Sequence, residues 1–251
     1  MLGFPMPKIY VSIFLGLLSS FWVDQSAADQ TAQSFKKEET RPLELNYLLS
    51  LPEGYEDDKK EKWPLVVFLH GSGERGTNLE SVKVHGPPKL VANGKSFPFI
   101  VVSPQCPLNH WWDSLPVLEL VDDIEKRYRI DSDRIYLTGL SMGGYGTWHF
   151  AMKAPHRFAA IAPICGGGIL MKLRFIPQLP VWAFHGAQDR SVPVSESTRL
   201  MTGLKTMGNE RSRLSIIPEA GHDCWTEAYN KPELYEWMLS NSLPKEESKQ
   251  E

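Results

Sequence analysis

Cysteine is scarce: 251 residues hold three, Cys106, Cys165 and Cys224, an odd number that leaves at least one thiol unpaired within the chain. A disulfide framework is thereby excluded as the basis of the fold. One bridge stays open to an oxidising compartment, but the spacing does not choose the pair and lacks the paired pattern of a zinc site. An excess of basic charge is also missing. Lys plus Arg number 27 against 30 Asp plus Glu, for a formal net charge of −3. Without a basic cluster there is no electrostatic footprint for nucleic acid, and small molecules or neutral polymers are the better partners. Long apolar runs are absent too. The longest, Ile9 to Val23, is about 15 residues and is interrupted by serines, short of the roughly 20 that span a bilayer.

What surrounds that run gives it a meaning. Lys8 precedes it and the small residues Ser26-Ala27-Ala28 follow, so the order is basic, apolar, small. This is the layout of a secretory signal peptide cut after Ala28. Residues 1–28 are therefore expected to direct export, to the periplasm or beyond the cell, with no stable membrane span left after cleavage. Residues 29–40 are polar and charged and read as a flexible linker, as does the tail 245–251. Between them, residues 41–244 have the length and composition of one catalytic domain, the whole chain being 42% hydrophobic and 23% charged.

Short apolar runs alternate with amphipathic stretches through that domain. Leu65–Leu69, Phe99–Val102, Arg134–Thr138 and Val181–Phe184 are apolar at consecutive positions, as strands covered on both faces are. Leu43–Leu51 fits an antiparallel first strand and Arg213–Ile217 a late one. Helices are expected over Pro116–Tyr128, Ser141–Ala154, Val194–Met207 and Thr226–Leu239, with Pro155 and Gly208 ending two of them. Such a rhythm predicts a mostly parallel sheet with helices on both faces, a three-layer α/β/α sandwich.

Chemistry gathers at the ends of these strands. Gly139-Leu140-Ser141-Met142-Gly143-Gly144 sits where a strand must turn sharply into a helix, which would expose the Ser141 hydroxyl above the sheet. A serine hydroxyl is a poor nucleophile at neutral pH and needs a histidine base steadied by a carboxylate. Of seven histidines, His222 is the best placed, in a loop after the strand Arg213–Ile217 and directly after Gly221. His149 and His156 belong to the helix behind the serine, while His85 and His110 fall in loops without motif support. Asp189 lies just past the strand Val181–Phe184 and supplies the carboxylate. The order Ser141, Asp189, His222 is that of the α/β-hydrolases. An oxyanion needs preorganised N–H donors, expected from Met142 and from Ser72 in the loop His70-Gly71-Ser72-Gly73-Glu74-Arg75-Gly76. That loop lacks the Lys-Ser/Thr ending of a phosphate-binding loop.

These four segments, in this order, resemble the phospholipase/carboxylesterase and dienelactone-hydrolase-like branch of the α/β-hydrolase superfamily. The chain also resembles proteins termed predicted peptidases for their likeness to prolyl oligopeptidase catalytic domains. The resemblance runs from about Leu43 to Leu239 and implies the α/β-hydrolase fold, with no metal and no organic cofactor. Dienelactone hydrolases carry cysteine at the nucleophile position where this chain has Ser141, and prolyl oligopeptidases carry a propeller domain for which this chain has no room. The segment Asn109-His110-Trp111-Trp112-Asp113 is similar to an aromatic loop that this branch places beside its active site. Trp111 and Trp112 are thus candidate substrate-binding residues, able to stack on a sugar ring or phenolic acyl group.

The expected activity is hydrolysis of carboxylic esters through an acyl-enzyme, on small-molecule esters or on acetyl or feruloyl groups of polysaccharides. A serine peptidase and a non-catalytic binding protein with a hydrolase fold are the alternatives. With no large insertion between strands, an open and shallow site is expected.

Overall fold

The computed structural model describes residues 44–244. The expected signal peptide and its cleavage site, the linker 29–40 and the tail 245–251 lie outside the described residues. Among the described residues, seven strands form one sheet: β1 (Tyr47–Ser50), β2 (Trp63–Leu69), β3 (Ile100–Pro104), β4 (Ile130–Leu140), β5 (Ala160–Ile164), β6 (Trp182–Gly186) and β7 (Arg213–Ile217). Their spatial order is β1-β3-β2-β4-β5-β6-β7. Only β1 runs antiparallel, against β3; every other pairing is parallel.

The order reverses direction between β2 and β4. The chain moves outward from β2 to β3, then returns to lay β4 on the other side of β2. Loops leaving the C-terminal ends of β2 and β4 therefore open away from each other and leave a crevice, which is where ligands bind in open parallel sheets.

Six α-helices cover the sheet: α1 (Gly86–Ala92), α2 (Ser114–Arg127), α3 (Met142–Lys153), α4 (Ser195–Thr206), α5 (Trp225–Asn230) and α6 (Pro232–Leu239). Strand side chains alternate between two cores. On one face Leu65, Val67 and Leu69 of β2 pack with Val117 and Ile124 of α2, Trp148 of α3 and Leu200 of α4. On the other, Val66 and Phe68 pack with Tyr229 of α5 and Tyr235 and Met238 of α6. The result is the three-layer α/β/α sandwich, and the doubly covered strands explain the unbroken apolar runs of the sequence.

Besides α1, where no helix was expected, two elements depart from the sequence expectation. Strand β5 carries no strong run of its own: Ala160-Ile161-Ala162-Pro163-Ile164 is rich in alanine and contains a proline, which ordinarily marks an edge. Here Pro163 sits inside the sheet because of its register. Ile161 and Cys165 donate their N–H groups toward β6, to the carbonyls of Pro180 and Phe184, and Pro163 occupies the position between them. Its missing N–H leaves the β5–β6 ladder thin, with Ile164 opposite Phe184 and an isolated bridge from Ile161 to Val181. The second departure is at Thr226–Leu239, expected as one helix. Pro232 has no N–H to donate to the preceding turn, so the chain stops at Asn230 and restarts as α6.

Candidate functional site

Strand β4 ends at Leu140 and α3 begins at Met142, leaving Ser141 alone to make the turn. Its backbone has φ 51° and ψ −116°, a left-handed conformation that a non-glycine residue rarely adopts and that stores strain at functional turns. The neighbours that permit it are glycines for steric reasons. A Cβ on Gly143 would be driven into the Leu69 carbonyl at the end of β2, and one on Gly139 would strike the Gly143 carbonyl. The elbow can form only with the helix pressed against the adjoining strands.

The turn brings three distant side chains into line. Ser141 Oγ lies 2.9 Å from His222 Nε2, and His222 Nδ1 lies 2.8 Å from Asp189 Oδ2. A carboxylate can only accept, so Nδ1 carries the proton and donates to Asp189, which leaves the Nε2 lone pair facing the Ser141 hydroxyl. Asp189 is fixed by its own loop: Oδ1 accepts the N–H groups of Ser191, at 2.8 Å, and Val192, at 2.9 Å. Burial pushes the Asp189 carboxyl upward, but the His222 bond and these two N–H groups outweigh it and hold its pKa below the ordinary value. The acid is therefore ionised near neutrality while its side chain is fully buried.

Beside the serine, the loop after β2 forms a short 3-10 turn, Ser72–Glu74. Among the described residues, neither the Ser72 N–H nor the Met142 N–H donates to a backbone or side-chain acceptor, so both remain available to an incoming oxygen. His70 anchors this loop from beneath. Its Nδ1 donates to the Gly71 carbonyl, at 2.6 Å, and its Nε2 accepts the Cys106 N–H, at 3.0 Å. Burial pulls the His70 pKa down to about 4, from an ordinary 6.5. The unfolded chain thus binds a proton that the folded chain refuses between those values. The His70 contribution is complete above about pH 6.5 and lost as pH falls toward 4, on the order of 3 kcal/mol. Scanning calorimetry from pH 7 to 4 should show a falling thermal midpoint that is flatter in His70→Gln; equal slopes would contradict this.

The two tryptophans part company. Trp112 is 8% exposed, its ring packs on His70, and its indole N–H donates to the His70 carbonyl at 3.0 Å. The expectation that Trp112 offers a face to substrate is corrected: it supports the loop from within. Trp111 is 68% exposed and meets Tyr145 edge to face, with ring centroids 6.4 Å apart. Tyr145 was not singled out from the sequence, although it stands four residues after Ser141, one helical turn along the same face of α3. The loop holding Trp111 is pinned at its end by Asp113, whose side chain caps α2 by accepting the Leu115 N–H. The His222 side chain is 26% exposed.

All three thiols are buried and unpaired. Burial, and next to it the neighbouring Cys224 thiol, hold the Cys165 thiol well above its ordinary pKa. Ligand-type atoms of Cys165, Asp189 and His222 fall within 4.8 Å of one another. The His222–Asp189 hydrogen bond and the protonated thiol account for that cluster. His149 and His156 are exposed and outside the site, whereas His85 accepts the Trp225 indole N–H at 3.2 Å, and Trp225 in turn packs against the His222 ring.

Comparison with known proteins places this geometry in context. Residues 40–189, more than half of the chain, match the family described as "Putative esterase", and residues 170–241 match the "Prolyl oligopeptidase family". A bifunctional acetylxylan esterase/xylanase of Neocallimastix patriciarum is 29% identical over 133 residues, covering 50% of this chain and 19% of that protein. An endo-1,4-beta-xylanase/feruloyl esterase of Xylanibacter ruminicola is 26% identical over 193 residues, covering 69% of this chain and 24% of that protein. Among solved structures, a thermostable esterase superposes with a TM-score of 0.68 at 36% identity, covering 84% of this chain and 63% of the other. The chain thus spans about a fifth to a quarter of these two curated relatives and just under two thirds of that structure.

Proposed function

Because the chain belongs to this esterase family, we propose that it hydrolyses carboxylic esters through an acyl-enzyme formed on Ser141, with acetyl or feruloyl groups on polysaccharide as the substrate class. The observation that carries the reading is the unbroken hydrogen-bonded line from Ser141 Oγ through His222 to Asp189. His222 Nε2 takes the hydroxyl proton as Oγ attacks the ester carbonyl, and Asp189 stabilises the imidazolium that results. Negative charge then develops on the carbonyl oxygen, where the N–H groups of Ser72 and Met142 receive it. The imidazolium returns its proton to the leaving alcohol. A water activated by the same nitrogen releases the acid and restores the serine.

The substrate class follows from the mouth of the site. An exposed Trp111 edge-on to Tyr145 suits a planar phenolic group or a sugar ring attached to a bulky polymer. Relatives named for acetylxylan and feruloyl ester cleavage support that class. Export through residues 1–28 belongs to the same reading and rests on the basic, apolar, small order of the N-terminus. A peptidase reading is favoured by one finding, the prolyl oligopeptidase match over residues 170–241.

A rate comparison separates them. The protein without residues 1–28 should turn over acetylated and feruloylated xylo-oligosaccharides at least about a hundredfold faster than p-nitroanilide peptides, by kcat/KM. A preference for the amides would overturn the esterase reading. A fluorophosphonate probe should label Ser141, and failure to label would return the chain to a binding role.

A further inference from the structure

We propose that His185 is a positioning residue for the reaction, an internal second histidine that braces the Asp189 loop and sets a polar N–H edge beside the carboxylate oxygen that His222 uses. The inference rests on the functional reading above and adds a second chain of hydrogen bonds beside the Asp189 end of its line.

His185 lies near the end of β6, four residues before Asp189, and is fully buried. Its Nε2 sits 2.9 Å from the Val192 carbonyl and 3.4 Å from Asp189 Oδ2. A carbonyl can only accept, so Nε2 bears the proton, and the neutral ring must then accept at Nδ1. The matching donor is in place: the Ser197 hydroxyl, buried on α4, lies 2.7 Å from Nδ1 and 3.4 Å from the Gly166 carbonyl, so its one proton is directed to the nearer acceptor, Nδ1. The tautomer of His185 is therefore set by two groups that have no contact with substrate. Its single N–H goes to the Val192 carbonyl, and the nitrogen that carries it lies 3.4 Å from the carboxylate oxygen that receives His222 Nδ1–H, near enough for its polar edge to act on that oxygen without a hydrogen bond. The hydrogen-bonded line runs Asp189, His222, Ser141, and the chain from Ser197 through His185 to the Val192 carbonyl lies against its Asp189 end.

Such a brace does two things that the Ser191 and Val192 N–H groups cannot. Those two bonds fix Oδ1, whereas the polar N–H edge of His185 lies 3.4 Å from Oδ2 and so limits how much of the carboxylate charge falls on His222. By also holding the Val192 carbonyl, it ties the far end of the Asp189 loop to β6, and that restrains the distance over which His222 must reach. Other titratable groups around the pair leave this role to His185. The Cys165 thiol beyond β5 and Tyr145 on α3 are raised above their ordinary values by burial and stay neutral. Cys224 is buried behind Cys165, Glu196 and Arg199 on α4 bond to each other, and the Asp223 carboxylate accepts from Thr226. Arg190 is exposed and makes no ion pair among the described residues.

The experiment is a pH profile of kcat/KM on p-nitrophenyl acetate for His185→Phe and His185→Gln. Phenylalanine keeps a ring without the N–H, so Oδ2 loses the polar edge beside it, its charge falls more fully on His222, and the imidazolium persists to higher pH. The acid limb should move up by about one pH unit, with kcat falling roughly tenfold and KM within about twofold. Glutamine, whose amide nitrogen reaches the Nε2 position, should bring the midpoint back toward wild type. A wild-type acid limb in His185→Phe would overturn the proposal even if that variant melts earlier. A measurement on the unmutated protein covers a variant that fails to fold. Imidazole nitrogen NMR should find His185 as the Nε2–H tautomer and His222 as the Nδ1–H tautomer; the Nδ1–H form at His185 would refute the arrangement. That readout does not depend on turnover. A wild-type protein inactive on every ester therefore defeats the functional reading alone.

Discussion

Ser141→Ala should lose ester hydrolysis by at least about 10⁴-fold in kcat, because removing a nucleophile that works as a unit with its base costs as much as removing the whole set. What survives comes from the remaining N–H donors and substrate binding. The fold should be retained. Ser141 is only partly buried and its side chain contributes one hydrogen bond, to His222, so the unfolding free energy should change by no more than about 1 kcal/mol. Initial rates on p-nitrophenyl acetate, with circular dichroism on the same sample, check both halves. Turnover within tenfold of wild type would remove Ser141 from the mechanism.

Gly143→Ala should damage the molecule itself. The added methyl meets the Leu69 carbonyl, which is backbone in the middle of the sheet and has nowhere to go. Either α3 lifts off β2 or the turn at Ser141 relaxes. Overpacking of this kind should lower stability by about 3 kcal/mol, a fall of roughly 10 °C in Tm for a domain of this size. Activity should fall with it, since Met142 and Ser141 move with the helix. Gly73→Ala is the stability control, because a Cβ there meets nothing within 4 Å. Equal melting temperatures for the two variants, by thermal circular dichroism, would contradict the steric account of the elbow.

How far the sequence foretold this structure varies by element, for physical reasons. β2, β3, β4, β6 and β7 were legible because strands buried on both faces or bounded by turn residues announce themselves in composition. β5 was not, since Ala160 and Ala162 carry little apolar signal and Pro163 argues for an edge. Only the register against β6, a tertiary fact, shows where its missing N–H points. The break before Pro232 is readable from the residue alone, since a proline donates nothing to the preceding turn. At the site, Ser141, Asp189 and His222 each follow a strand, and the sheet brings the three within hydrogen-bonding distance. The separate fates of Trp111 and Trp112 were hidden. Adjacent residues in a loop point in different directions, and which one enters the core depends on His70 packing from another strand. The pairing of His185 with Asp189 left only the faint trace of an i, i+4 spacing.

The thin ladder at Pro163 divides the sheet into two blocks. Ser141 and the loop of Ser72 are carried by β4 and β2 on one side of that seam, while Asp189 and His222 are carried by β6 and β7 on the other. Nucleophile and base are thus carried on opposite sides of that seam, and the gap between Ser141 and His222 is set by what crosses it: the Ile161 and Cys165 N–H bonds to β6 and the contacts that Ser197 and Arg199 of α4 make with the Gly166 and Gly168 carbonyls.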